Sequence, residues 1–303
     1  MPQLAPMRGR STWSLQRKLA PYLFVLPFVA LFCTFLLYPL VRSLLLSVHN
    51  PATGRFIGLS HYRYILSDRL FWWACANTLL FAIAFLTLQV PASLGLAMLL
   101  NSPRVRFRPA FRFAFFSSHV VGAVFVSVMF RMLMAPRHGL VNKAIDFLPG
   151  AGGEINWLGD PRFMMAAVVI ASLWLTVGYG MVYVLAALQA VDPELYEAAR
   201  VDGAGPWGRF RHVTLPGIRP VLLFLILVGT IAALSLFELP YVLFQGSGPK
   251  QAGLTIVVYL YEQGFQIGRM GYASAVGWIL VVLILLVTVG QLALTRATEA
   301  RWR

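Results

Sequence analysis

Six mostly apolar runs, at about 21–45, 74–100, 113–134, 163–189, 220–244 and 272–295, constrain this chain more than any other feature. Crossing about 30 Å of hydrocarbon takes roughly 20 such residues in a helix, and each run is that long. Lipid offers no partner to a backbone amide, so a spanning segment must satisfy its own hydrogen bonds by being helical. The expected fold is therefore an all-α integral membrane protein with about six transmembrane helices. The first run exceeds the roughly 7–15 residues of a signal-peptide core, and no small-residue cleavage site follows it. It is expected to stay as a span.

Only 12% of residues are charged, against roughly a quarter in a soluble domain. The net charge of +14 does not indicate nucleic acid, because the basic residues sit in clusters between apolar runs, without interleaved aromatics. Segments 1–19 (Arg8, Arg10, Arg17, Lys18), 101–112 (Arg104, Arg106, Arg108, Arg112) and 190–219 (Arg200, Arg209, Arg211, Arg219) share one side with Arg296, Arg301 and Arg303. The opposite, longer loops carry fewer, so both termini and segment 190–219 are expected in the cytoplasm. The chain then divides into a tail at 1–20, a six-span membrane domain at 21–295 and a tail at 296–303. Cys33 and Cys75 show no metal or redox spacing, and the histidines are scattered singly, so no metal site and no catalytic residue is expected. Outer segment 56–73 suits an interfacial helix; 135–162 carries the PGAGG and GDP turn signals and a lone Trp157.

Segment 190–219 interrupts the apolar pattern with YEAARVDGAGPWGRFRHVTLP at 196–216. Asp192 is a good N-cap, Pro193 suits the first helical position and Glu194 favours the positive helix end. Gly203 is placed to end that helix. Trp207, Phe210 and Val213 then recur at helical spacing, and Pro216 is expected to stop a second short helix before the next span. Ala198, Ala199, Gly203 and Ala204 carry little bulk, which allows another surface to approach. A plain hairpin between two spans is the simpler alternative, but the length and the capping favour a docking element. Gly203, Gly205 and Gly208 spell GxGxxG, yet a helix precedes them where a dinucleotide fold needs a buried strand. No P-loop sequence occurs either, so the chain is expected to bind no cofactor of its own.

Within the spans, ionisable groups are costly and thus functional suspects. Glu238 stands inside the fifth run, with Ser235 three residues earlier and Pro240 nearby to free a backbone carbonyl; it borders a pathway or partners a neighbouring helix. Thr176, Tyr179 and Tyr183 share a face of the fourth span, with Trp174 about a turn away. Aromatic planes with hydroxyls suit sugars, though they also suit interfacial belts. Gly229, Ala232 and Ala233 on the fifth run leave room for a solute or allow helix packing. Arg131 and His119 have no evident partner.

The spacing of EAA, Gly203 and Leu215-Pro216 resembles the EAA loop of bacterial ABC importer permeases. YEAARVDGAGPWGRFRHVTLPGIRP, FELPYVLFQGSGP, Thr255, YLYEQGF (259–265), GYASA (271–275), FIGLSHY (56–62) and FWWACANTLLF (71–81) are similar to its carbohydrate-uptake branch, specifically the maltose-F and glycerol-phosphate-A type. Glu238 stands where that branch commonly has Asp, and Gly246-Ser247-Gly248-Pro249 replaces its glycine-glycine-proline. The resemblance implies a type I ABC importer permease fold in a bacterial inner membrane. It implies a second permease subunit, two copies of a cytoplasmic ATPase that use ATP and Mg, an extracytoplasmic solute-binding protein and a sugar-like substrate. Tyr196, Glu197, Ala198, Ala199, Arg200, Asp202, Gly203, Ala204, Leu215 and Pro216 would then couple to the ATPase. A glycerol-phosphate or polyol cargo is the nearest alternative; the absence of a mid-span Lys or Arg leans towards neutral sugars. A membrane transferase would need an acid or His cluster, and a secondary transporter a repeat and several buried acids.

Overall fold

The computed structural model describes residues 10–146 and 155–299, with side chains from 20 to 146 and 155 to 295. Arg8, Arg301, Arg303 and the PGAGG turn lie outside the described residues, as do the side chains of Arg10, Arg17, Lys18 and Arg296. The helices run in the order α1 (Arg10–Phe32), α2 (Tyr38–Val48), α3 (Ser60–Ser67), α4 (Arg69–Asn101), α5 (Arg108–Val120), α6 (Ala123–Leu133) and α7 (Leu140–Asp146). There follow α8 (Pro161–Ala190), α9 (Pro193–Val201), α10 (Pro206–Arg209), α11 (Leu215–Leu234), α12 (Glu238–Phe244), α13 (Ile256–Tyr261) and α14 (Met270–Glu299). Among the described residues, five helical paths are long and apolar enough to cross a membrane: Ala20–Val48, Arg69–Asn101, Pro161–Ala190, Pro206–Leu234 and Met270–Thr295.

The third expected span is not a single rod. α5 and α6 meet at 101°, with Val121 and Gly122 both extended between them. Two successive valines and a glycine are poor helix formers, and the break falls on them. The fifth run differs as well, because its helix ends at Leu234 and restarts at Glu238. Pro240 explains the restart: its ring would clash with the carbonyl of Leu236 and it has no N–H to donate. That freed carbonyl accepts from Thr255 Oγ1 at 2.8 Å. Segment 56–73 splits too, since Asp68 caps α4 by accepting from Leu70 N at 2.8 Å and residues 69–73 belong to the long helix. Trp157 is not alone; its ring nitrogen donates to Asn142 Oδ1 at 2.8 Å.

Three buried clusters stack along the bundle. Leu100, Leu188 and Ile218 join the ends of α4 and α8 to the start of α11. Phe81, Phe85, Val168 and Leu234 fill the middle. Ile65, Phe71, Ile256 and Tyr272 close the other end. Segment 190–219 thus lies at one end of the bundle, and α3, α13 and the start of α14 at the other. Glycine permits a close helix approach: a Cβ on Gly178 of α8 would fall 1.8 Å from the Phe115 carbonyl oxygen of α5.

Candidate functional site

Segment 190–219 forms a bracket at the end of the bundle. Asp192 accepts from Glu194 N at 2.9 Å and starts α9, as its sequence indicates. Gly203 ends it with φ +77°, a conformation that costs L side chains energy. Ala204 N reaches Ala199 O at 2.9 Å and Gly203 N reaches Arg200 O at 3.1 Å, a doubly bonded helix stop. No residue of α9 is buried: Glu197, Ala198, Arg200 and Asp202 are exposed, and Val201 is 89% exposed. Tyr196 turns inward instead, its hydroxyl 3.0 Å from Thr214 Oγ1.

Pro216 does not stop the second helix. The path runs unbroken from Pro206 to Leu234 through a wider π-helical turn at Phe210–Thr214, where Leu215 N bonds Phe210 O. A turn with one extra residue accommodates a proline that has no N–H to give. Leu215 and Pro216 are therefore the first exposed residues of α11 rather than a boundary. The consequence is mechanical: the bracket's second arm and a membrane-crossing helix are one rod.

At the other end of that rod lies a cleft of about 160 Å³. Phe81 and Phe85 of α4, Ser172 and Thr176 of α8, Ala123 of α6, Ala232 and Ala233 of α11, and Glu238 of α12 line it. Both helix breaks border it, since Ala123 begins α6 and Glu238 begins α12. Glu238 sits at a helix N-terminus, where a carboxylate is favoured. Of the sequence-derived candidates, Thr176, Ala232, Ala233 and Glu238 meet here. The others go elsewhere. Ser235 is exposed beyond the end of α11 and shares no helix face with Glu238, because the break separates them. Gly229 serves packing, as a Cβ there would lie 2.8 Å from Leu86 Cδ2. Trp174 packs edge-on against Phe130 at 5.8 Å.

Tyr179 and Tyr183 enter an aromatic row nearer the bracket. His119 lies 4.5 Å from Tyr179, Tyr179 lies 4.7 Å from Tyr183, and Tyr183 lies 5.6 Å from Phe224, between ring centres. His119 and Arg131 have partners after all. His119 Nδ1 is 3.3 Å from Leu175 O, and Gln245, with its amide oxygen turned to Arg131, accepts from both terminal nitrogens at 2.9 and 3.1 Å.

Three features escaped the sequence reading. Asp68 accepts from Tyr259 at 2.5 Å and Tyr272 at 3.3 Å, and those hydroxyls lie 2.7 Å apart. Burial, and then Asp68, push the Tyr259 hydroxyl pKa up. Asn77 donates to the carbonyls of Gln251 and Leu254 at 3.0 and 3.1 Å, tying the 245–255 loop to α4. Gly180 lets α8 approach α4, where an added Cβ would meet Ser93 Oγ at 2.4 Å. Asp68 before an apolar run was a readable cap; its tyrosine partners, far off in sequence, were not.

Residues 89–300 match the binding-protein-dependent transport system inner membrane component family. The chain belongs to that family. It is 35% identical to the arabinooligosaccharides transport system permease protein of Bacillus subtilis (strain 168), over 97% of this chain and 94% of that one. It is 36% identical to the lactose transport system permease protein of Rhizobium radiobacter, over 87% and 89%. The trehalose/maltose permease protein of Thermococcus litoralis is 32% identical over 91% and 93%. Among solved structures, a bacterial ABC transporter that imports the acidic polysaccharide alginate superposes with TM-score 0.82 at 25% identity, covering 94% of this chain and 98% of that one. This permease component is thus a multi-pass membrane protein of a transport system, with the all-α architecture its sequence indicates.

Proposed function

We propose that this chain is one of two permease subunits of an ATP-driven bacterial importer for a neutral sugar or oligosaccharide. The observation that carries the reading is the unbroken rod from Pro206 to Leu234, which joins an exposed bracket to a cleft between broken helices. Half-helices that meet at mid-membrane are how many transporters build a solute site. The bracket, with Tyr196 to Ala204 and Leu215-Pro216, docks into a cleft of a cytoplasmic ATPase subunit. Two such subunits hydrolyse ATP with Mg, and their closure drags the rod and rocks the spans. The relatives named for lactose, arabinooligosaccharides and trehalose or maltose support a sugar cargo. Among the described residues, Glu238 is the one ionisable residue lining the cleft, which suits a neutral solute better than a phosphorylated one. A solute-binding protein delivers the cargo from outside, and both tails face the cytoplasm.

Purification from its native membrane tests this. The chain should co-isolate with a second permease and an ATPase, and sugar-loaded binding protein should stimulate hydrolysis. Glu197→Lys, on an exposed position, should abolish that stimulation, by roughly tenfold or more, without disturbing the melting of the spans. A lone purified chain that moves sugar across vesicles contradicts the reading.

A further inference from the structure

The YLYEQGF segment carries an arrangement that neither the bracket nor the cleft uses. Phe237 follows the break after α11, and its ring lies 5.2 Å from Tyr241 and 5.1 Å from Tyr261. Tyr241 and Tyr261 are 5.0 Å apart, and Tyr261 stacks on Phe265 at 5.3 Å. Four rings thus form a ladder across α12, α13 and the π-helical turn at Glu262–Gln266. It starts beside the cleft-lining residues Leu236 and Glu238 and ends on Phe265, which is 64% exposed.

Polar groups edge these rings. Gln266 Nε2 donates to the Tyr241 hydroxyl at 3.1 Å, and Gln266 is itself exposed. A flat ring with hydrogen-bonding groups at its edge matches a sugar, whose C–H face stacks while its hydroxyls bond sideways. π-helical turns are also concentrated at functional sites.

We propose that the Phe237–Tyr241–Tyr261–Phe265 ladder is a sugar-binding track. It takes one sugar unit at Phe265 and passes it along successive rings towards the cleft. This rests on the sugar-importer reading and adds a binding site outside the cleft.

The test uses the complete transporter, with its ATPase, second permease and binding protein, in proteoliposomes. The probes are radiolabelled lactose, trehalose, maltose and arabinotriose. Phe265→Ala and Phe265→Leu should slow uptake of the transported probe by about five- to tenfold, the loss of one stacking contact. Phe265→Trp should keep uptake near the native rate, and all three variant complexes should retain the second permease and the ATPase on gel filtration. Uptake by Phe265→Ala or Phe265→Leu equal to that of the native protein overturns the track. Loss of the second permease from the Phe265→Ala complex on gel filtration also overturns it, by making this face a subunit contact. A native complex that takes up none of the probes removes the sugar-importer reading beneath it, and the track with it.

Discussion

Gly178 shows how much a single hydrogen decides here. Its missing side chain lets α8 lie against the backbone of α5, and a methyl at 1.8 Å from a carbonyl oxygen leaves no relaxed position. Gly178→Ala should destabilise the purified complex by about 1–3 kcal/mol, as overpacking of a close contact does. Gly290 supplies the control. Nothing lies within 4 Å of a Cβ there, so Gly290→Ala should be neutral or stabilise by about 0.5–1 kcal/mol through helix propensity. Thermal melting of both variants checks the pair; equal melting temperatures contradict the packing assigned to Gly178. The Asp68, Tyr259 and Tyr272 cluster works at the same scale, fastening the start of α4 to α13 and α14 through one carboxylate.

Among the elements, the bracket separates stability from function. α9 buries none of its residues, yet it is capped at both ends and stopped by a left-handed glycine. Gly203→Val forces a β-branched side chain into that conformation and costs about 1–3 kcal/mol locally. Melting of the spans should hold while sugar-stimulated hydrolysis falls, measured side by side on one preparation; a fall in both contradicts the separation. The caps were legible in the sequence because capping is local: Asp192, Pro193 and Gly203 lie within one turn of the ends they fix. The breaks were less so. Apolar content runs straight through Val121-Gly122 and through 235–237, so summed hydropathy sees one span where the backbone makes two. Pro240 indicated a freed carbonyl but not a break, and the partner that takes that carbonyl, Thr255, is tertiary. Thr176, Ala232, Ala233 and Glu238 meet in one cleft, whereas Tyr179 and Tyr183 lie nearer the bracket. Helical spacing gives a face but not its neighbour, and that neighbour is tertiary.

For the whole molecule, the proposed coupling asks one rod to carry a movement of the bracket to the cleft. The span Ala20–Val48 buries nothing against its own chain over its most apolar stretch, and Pro206–Leu234 is bound at both ends: by Ile218 packed with Leu100 and Leu188, and by Leu234 among Phe81, Phe85 and Val168. Under the proposed coupling, a pull on the bracket would be felt at the cleft. Cysteine accessibility at Ala198, an exposed residue of α9, tests this most directly, in a chain with Cys33→Ser and Cys75→Ala. An impermeant maleimide added to intact cells should leave Ala198→Cys unlabelled. In inverted vesicles the same reagent should label it fully once the ATPase is stripped off, and poorly while the ATPase is bound. Labelling from outside intact cells, or equal labelling with and without the ATPase, contradicts it.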